Sequence, residues 1–432
     1  MPGFQSGLFV MVSLMVILQS YIFIMSFLNE RSTPEASEAL ASAEAMQQQS
    51  VEAMSYPFLT DPETIKFITK QIKILCILHS LPAVQARTLA LDFAQTYQDS
   101  ALCCFGSTQQ SDADVPQRSN ALCQDQMEDY LKKGTQVIVL NCPSGSAEVL
   151  QDVFALVHEY GHTTLLLQPN ATSSQGGSQD VENSGAFAVP PPGPNPVYPN
   201  FFGWHFGRQI SLETEAAGKS IWEELRGQST FVEIFEKFAR PEAKRTPSGA
   251  LDFDRYYSLD GLITGLLLHC TTFYSDSGKE DGSLAYLTRP AVRRWKGRAF
   301  NLTLIGYLAT PKTFGARLRL GGEELLLWGF TDEPGCGQEA WHPSKFSPTC
   351  GRGSRAHLTL GVAEGVEAVQ TGLDLSAIVL KELEAREEEE KSGKRPLELR
   401  LGRSSARYYG EGLWCVYLDQ PMQLDALFSG WY

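Results

Sequence analysis

Residues 353–361 read GSRAHLTLG, and the triplet His357-Leu-Thr359 inside them repeats the form of His269-Cys-Thr271, earlier in the chain within the stretch LHCTT. Both triplets sit among apolar residues at a spacing that suits a strand. On a strand, residues i and i+2 project to one face, so each segment presents an imidazole and a hydroxyl together and turns Cys270 or Leu358 the other way. One such triplet describes an ordinary half-buried strand; two of them, side by side, make a four-residue cleft. Two imidazoles with ordinary pKa values of about 6.5 can divide general-base and general-acid duties, and two threonine hydroxyls can donate to phosphoryl oxygens. That set suits phosphodiester hydrolysis without a metal or other cofactor.

Working outward, the alternating segments Ala299-Phe-Asn-Leu-Thr-Leu-Ile-Gly-Tyr and Leu413-Trp-Cys-Val-Tyr-Leu place the triplets in an α+β domain with antiparallel strands, over residues 200–432. Ahead of it, the apolar runs at 72–78, 136–140 and 163–167 alternate with helix-like segments, the pattern of a parallel sheet, over residues 56–171. Residues 172–199 are rich in Ser and Gly and then read Val189-Pro-Pro-Pro-Gly-Pro-Asn-Pro, a stiff linker that breaks both helix and strand. Two separate cores are expected. Residues 7–28 carry no charge over 22 positions, enough for one transmembrane helix at about 1.5 Å rise per residue. Residues 29–55 form an acidic, polar stalk with no face to bury. Arg31 on the C-terminal flank, and nine cysteines without a repeating spacing, favour a single-pass protein whose folded body faces the cytosol.

A net charge of −14 excludes a protein that coats nucleic acid through its phosphates. The basic segment Arg289-Pro-Ala-Val-Arg-Arg-Trp-Lys-Gly-Arg leaves a local RNA contact open against a solvated helix face, and residues 382–390 read as an acidic, solvated helix end. His158-Glu-Tyr-Gly-His162 has zinc-protease spacing, but Gly161 is the residue of a helix end, which puts His162 in a turn and off the face of His158. Cys336, His342 and Cys350 are too loosely spaced to argue for a metal.

The paired triplets resemble those of the 2H phosphoesterase superfamily. Leu268-His-Cys-Thr-Thr, Thr310-Pro-Lys-Thr-Phe-Gly-Ala-Arg, Gly353-Ser-Arg-Ala-His-Leu-Thr-Leu-Gly, Val369-Gln-Thr-Gly-Leu-Asp-Leu and the closing Phe-Ser-Gly-Trp-Tyr are similar to the 2′,3′-cyclic nucleotide 3′-phosphodiesterase family within it. The resemblance implies a two-lobed α+β phosphoesterase domain preceded by an α/β P-loop kinase-like domain. It puts the catalytic pairs on His269 with Thr271 and His357 with Thr359, leaving open which histidine is acid and which base. It implies a substrate site that includes Arg355, with Tyr274 and Phe201 where the family has base-stacking rings. Expected substrates are 2′,3′-cyclic nucleotides or RNA ends with a 2′,3′-cyclic phosphate, hydrolysed to 2′-phosphates. The P-loop is degenerate: Ser80, Ala83, Gln85, Ala86 and Arg87 stand where glycines, lysine and Ser/Thr would wrap triphosphate and Mg²⁺, and Asn141-Cys142 replaces an acidic pair, so ATP binding is not expected. Ser429 stands where the family's C-terminal lipid signal needs cysteine, so the membrane tether falls to residues 7–28. A weakly catalytic membrane scaffold or RNA-binding protein that keeps the fold is the alternative.

Overall fold

Five apolar residues precede His79 in Ile74–His79, and this run forms β1, buried along its whole length. A strand buried at every residue needs cover on both faces, which only flanking helices supply. The computed structural model describes residues 56–79, 81–104, 115–142, 147–167, 201–209, 212–258, 267–287, 289–329 and 351–431. In it, β1 is flanked by β3 (Val137–Cys142) and β4 (Thr163–Leu167), with β2 (Ser100–Cys104) outside β3, all parallel and in the order β2-β3-β1-β4. The helices are α1 (Pro57–Thr60), α2 (Pro62–Gln71), α3 (Ala83–Thr96), α4 (Val115–Lys133) and α5 (Ala147–Glu159). Strand β1 begins two residues later than the apolar run suggests, because Ile72 caps the end of α2. The helix-to-strand corner lies where the glycine marks it. Helix α5 ends at Glu159, Gly161 has φ +68°, and buried His162 directs its ring nitrogens at the carbonyls of Tyr160 (3.2 Å) and Thr135 (3.0 Å).

The remaining strands form one antiparallel sheet. They are β5 (Gly203–Gln209), β6 (Tyr257–Ser258), β7 (Leu267–Tyr274), β8 (Ala299–Ala309), β9 (Thr313–Arg319), β10 (His357–Ala363), β11 (Leu397–Leu401), β12 (Ser404–Tyr408) and β13 (Trp414–Trp431). Strand β13 runs 18 residues and slips register between Tyr417 and Met422; its first half lies between β12 and β8, its second between β8 and β5. Hydrogen bonding follows the path β7-β5-β13-β8-β9-β10. The two ends of that path, β7 and β10, nevertheless pack beside each other, so the sheet closes on itself around the face that carries both triplets. Around it lie α6 (Leu212–Arg226), α7 (Ser229–Phe238), α8 (Ser283–Leu287), α9 (Pro290–Trp295), α10 (Gly322–Leu327) and α11 (Gln370–Ser392).

Two separate cores are not what forms. The largest hydrophobic cluster runs from Leu75 and Ile77 of the parallel sheet to Phe428 of β13, and Leu427 joins the cluster on the other side of β1. Polar contacts cross the same seam: the Ala299 N–H donates to Thr64 Oγ1 at 2.9 Å, and the Lys296 ammonium donates to the Leu166 carbonyl. The described residues from Tyr56 onward therefore form one compact unit. Among the described residues no helix is long and apolar enough to cross a membrane; the stretches 7–28, 29–55 and 172–199, with Ser80, Cys336, His342 and Cys350, lie outside the described residues.

Candidate active site

Both triplets alternate as strand geometry requires. Cys270 and Leu358 are buried, whereas His269, Thr271, His357 and Thr359 are partly exposed on the opposite faces. The two strands share a second feature that no triplet announces: pairing slips by one residue directly after each threonine. On β7 the register passes from Thr271 opposite His205 to Phe273 opposite Trp204, and on β10 from Thr359 opposite Gly315 to Gly361 opposite Phe314. A bulge re-aims the side chains beside it and bends the strand, which suits two strands that must tilt toward one another over a small ligand.

His357 and His269 are close enough that charge on one disfavours charge on the other. The His357 Nδ1 lies 2.7 Å from the Arg355 carbonyl. Burial pushes its pKa down to about 4; the Arg355 carbonyl opposes that shift, and the positive charges of His269 and the Arg355 guanidinium reinforce it. A carbonyl can only accept, so Nδ1 carries the proton, Nε2 keeps its lone pair, and His357 is a neutral base at pH 7. Thr359 Oγ1 donates to Thr371 Oγ1 of α11 at 3.0 Å and lies 3.4 Å from the Ala368 carbonyl.

Of the residues placed at the substrate, Arg355 stands next to His357 by its electrostatic effect. Tyr274 is 42% exposed at the end of β7, just past Phe273, whose ring stacks on Tyr286 at 4.4 Å. Phe201 is only 6% exposed and packs edge-on against Trp204 at 6.1 Å, which makes it a wall rather than an open stacking face. The basic segment is largely engaged within the protein. Arg298 pairs with Glu323 and lies 4.0 Å over the Trp295 ring, Arg289 donates to the Trp328 carbonyl, and Lys296 is buried. Glu382, the first residue of the acidic run, departs from the solvated reading: it is buried against Arg317.

A third imidazole belongs to the site. His205 of β5 is buried with its ring 5.4 Å from that of His269, and its Nε2 lies 3.3 Å from Ser429 Oγ. Its ring leans over Gly207, the register partner of His269, where an added Cβ would come within 2.7 Å of Nε2. Burial, and then the charge of His269, hold its pKa well below the ordinary imidazole value. The clue available in the sequence is that His205 alternates with Gly207 on a short strand; its partner strand is not legible there. No group of three His, Cys, Asp or Glu able to hold a metal occurs among the described residues.

Comparison with known proteins fits this arrangement. Residues 198–432 match the family model described as 2′,3′-cyclic nucleotide 3′-phosphodiesterase. The chain is 29% identical over 393 residues to the 2′,3′-cyclic-nucleotide 3′-phosphodiesterase of Pongo abelii, covering 88% of this chain and 87% of that one. It is 28% identical over 390 residues to the proteins of the same name from Rattus norvegicus and Mus musculus, with the same coverage. With more than half of its length matched by the family model, the chain belongs to the 2′,3′-cyclic nucleotide 3′-phosphodiesterase family.

Proposed function

We propose that the chain, an enzyme by its family, hydrolyses 2′,3′-cyclic phosphates to 2′-phosphates in the cleft between β7 and β10. The observation that carries this reading is the meeting of two His-x-Thr strands from opposite ends of one hydrogen-bonded path, with His357 held neutral. In this mechanism His357 Nε2 takes a proton from water as it attacks phosphorus, and His269 protonates the leaving 3′ oxygen. Thr271 and Thr359 donate to the non-bridging oxygens, Arg355 offsets their charge and Tyr274 stacks on the base. The same chemistry serves a free nucleotide or an RNA end. The internal engagement of Arg289 and Arg298 argues for recognition of the terminal nucleotide alone.

The purified chain should turn over 2′,3′-cyclic NADP without added metal, and His269→Ala or His357→Ala should abolish turnover. Activity that survives either change would overturn the mechanism. The same reading keeps residues 56–171 as a P-loop-like fold without triphosphate binding, supported by the order β2-β3-β1-β4 and by a turn after β1 that lacks glycine and lysine. It also keeps residues 7–28 as the membrane tether, supported by 22 uncharged positions.

A further inference from the structure

Thr359 is not held by its own strand. Its hydroxyl reaches 3.0 Å to Thr371 Oγ1, in the first turn of α11. Thr371 is fully buried, and two independent features fix its place. Gly315 stands opposite Thr359 in the ladder, and a Cβ there would come within 2.7 Å of Thr371 Cγ2, so the missing side chain is what lets Thr371 lie against the sheet beneath Thr359. One turn further along, buried Asp374 accepts from Thr310 Oγ1 (2.5 Å), Thr313 Oγ1 (2.7 Å) and Gln370 Nε2 (2.7 Å), which pins the start of α11 to the β8–β9 hairpin.

A hydroxyl has one proton to give and two lone pairs to receive with. In the structure Thr371, at 3.0 Å, is the nearer acceptor of the Thr359 proton, with the Ala368 carbonyl at 3.4 Å, and a Thr359 so engaged cannot also donate to phosphate. We propose that Thr371 is a positioning residue for Thr359, accepting its proton until substrate binds and donating back to its oxygen when that proton turns to a phosphoryl oxygen. Both hydroxyls then stay bonded in both states, and the turn needs rotation about one bond in each. The inference rests on the proposed role of Thr359 as a phosphate donor.

The test is a double-mutant cycle on the full chain with 2′,3′-cyclic NADP as substrate. Thr371→Val keeps the shape and removes the hydroxyl, and should lower kcat/KM about tenfold, the scale of one net hydrogen bond. Thr371→Ser should restore most of the loss. In a Thr359→Ala background Thr371→Val should cost less than about twofold more, because the hydroxyl it serves is gone. A merely structural role would instead penalise both backgrounds equally. Equal penalties, wild-type activity in Thr371→Val, or failure of serine to restore would each overturn the proposal. Should Thr371→Val fail to fold, Thr371→Ala read in the same cycle gives the same decision. Loss of the reading itself is distinguishable, since turnover would then be absent from the wild type or persist in His357→Ala.

Discussion

The Nδ1 of His357 rests 2.7 Å from the carbonyl oxygen of Arg355, two residues before it, and this contact puts the ring proton on Nδ1 and leaves the lone pair on Nε2. In the proposed mechanism His357 enters the reaction neutral, with a pKa pushed down to about 4 chiefly by burial. A base loses activity as pH falls through its own pKa. The acidic limb of kcat/KM should therefore lie near 4, with no loss of activity as pH falls from 7 to 5, measured on 2′,3′-cyclic NADP alongside a fold-sensitive signal. An acidic limb at about 6.5 in folded protein would give the role of base to another group.

Tyr274 projects from the end of β7 while its neighbours Thr272 and Phe273 are both held by Tyr286, through a 3.0 Å hydroxyl contact and a stacked ring. A half-exposed ring that follows two firmly held residues suits a base. Tyr274→Phe should keep the wild-type KM, and Tyr274→Ala should raise it by roughly 5- to 160-fold with kcat little changed, the scale of about 1–3 kcal/mol per stacked base. An unchanged KM in the alanine variant would remove Tyr274 from the substrate site.

Much of this site was legible because strands repeat every two residues. The period places His269 with Thr271 and His357 with Thr359, and the all-apolar run ahead of His79 announces a covered parallel strand. Gly161 likewise marks the corner that removes His162 from any zinc site. What escaped depends on pairing between distant segments. His205 meets His269 only because β5 joins β7, and Thr371 meets Thr359 only because Gly315 leaves room. Neither bulge has a local signature, since each is a property of two strands in register. The expectation of two cores failed for a related reason: a linker rich in proline says where the chain is stiff, but not that β4 will pack against the second half of β13.

Arg317 is the register partner of His357, and it makes a two-pronged, fully buried ion pair with Glu382, which also accepts from the Tyr417 hydroxyl. Burying two charges costs heavily in desolvation, and removing one partner leaves the other uncompensated. Glu382→Gln or Arg317→Met alone should destabilise by about 3–5 kcal/mol in urea titrations, while Arg317→Met with Glu382→Leu should recover most of that loss. A double variant as unstable as the sum of the singles would show that the two side chains act independently and that neither single cost comes from a charge left unpaired.

Lys296 sits at the seam between the two sheets, donating to the Leu166 carbonyl, 5.7 Å over the Trp204 ring and near the buried thiol of Cys76. Burial lowers its pKa to about 7 from an ordinary 10.5, with the thiol pulling weakly the other way. Between those two values the unfolded chain binds a proton that the folded chain has released, so this group adds stability as pH rises from about 7 toward 10.5. Other groups titrate in the same range, and a difference between variants isolates the contribution. Lys296→Met removes the group while keeping an unbranched side chain of similar length, so its Tm should gain less than that of the wild type between pH 7 and 9.5. Parallel Tm profiles would mean that Lys296 keeps its proton in the folded protein, through a water path or a closer anion than the structure provides.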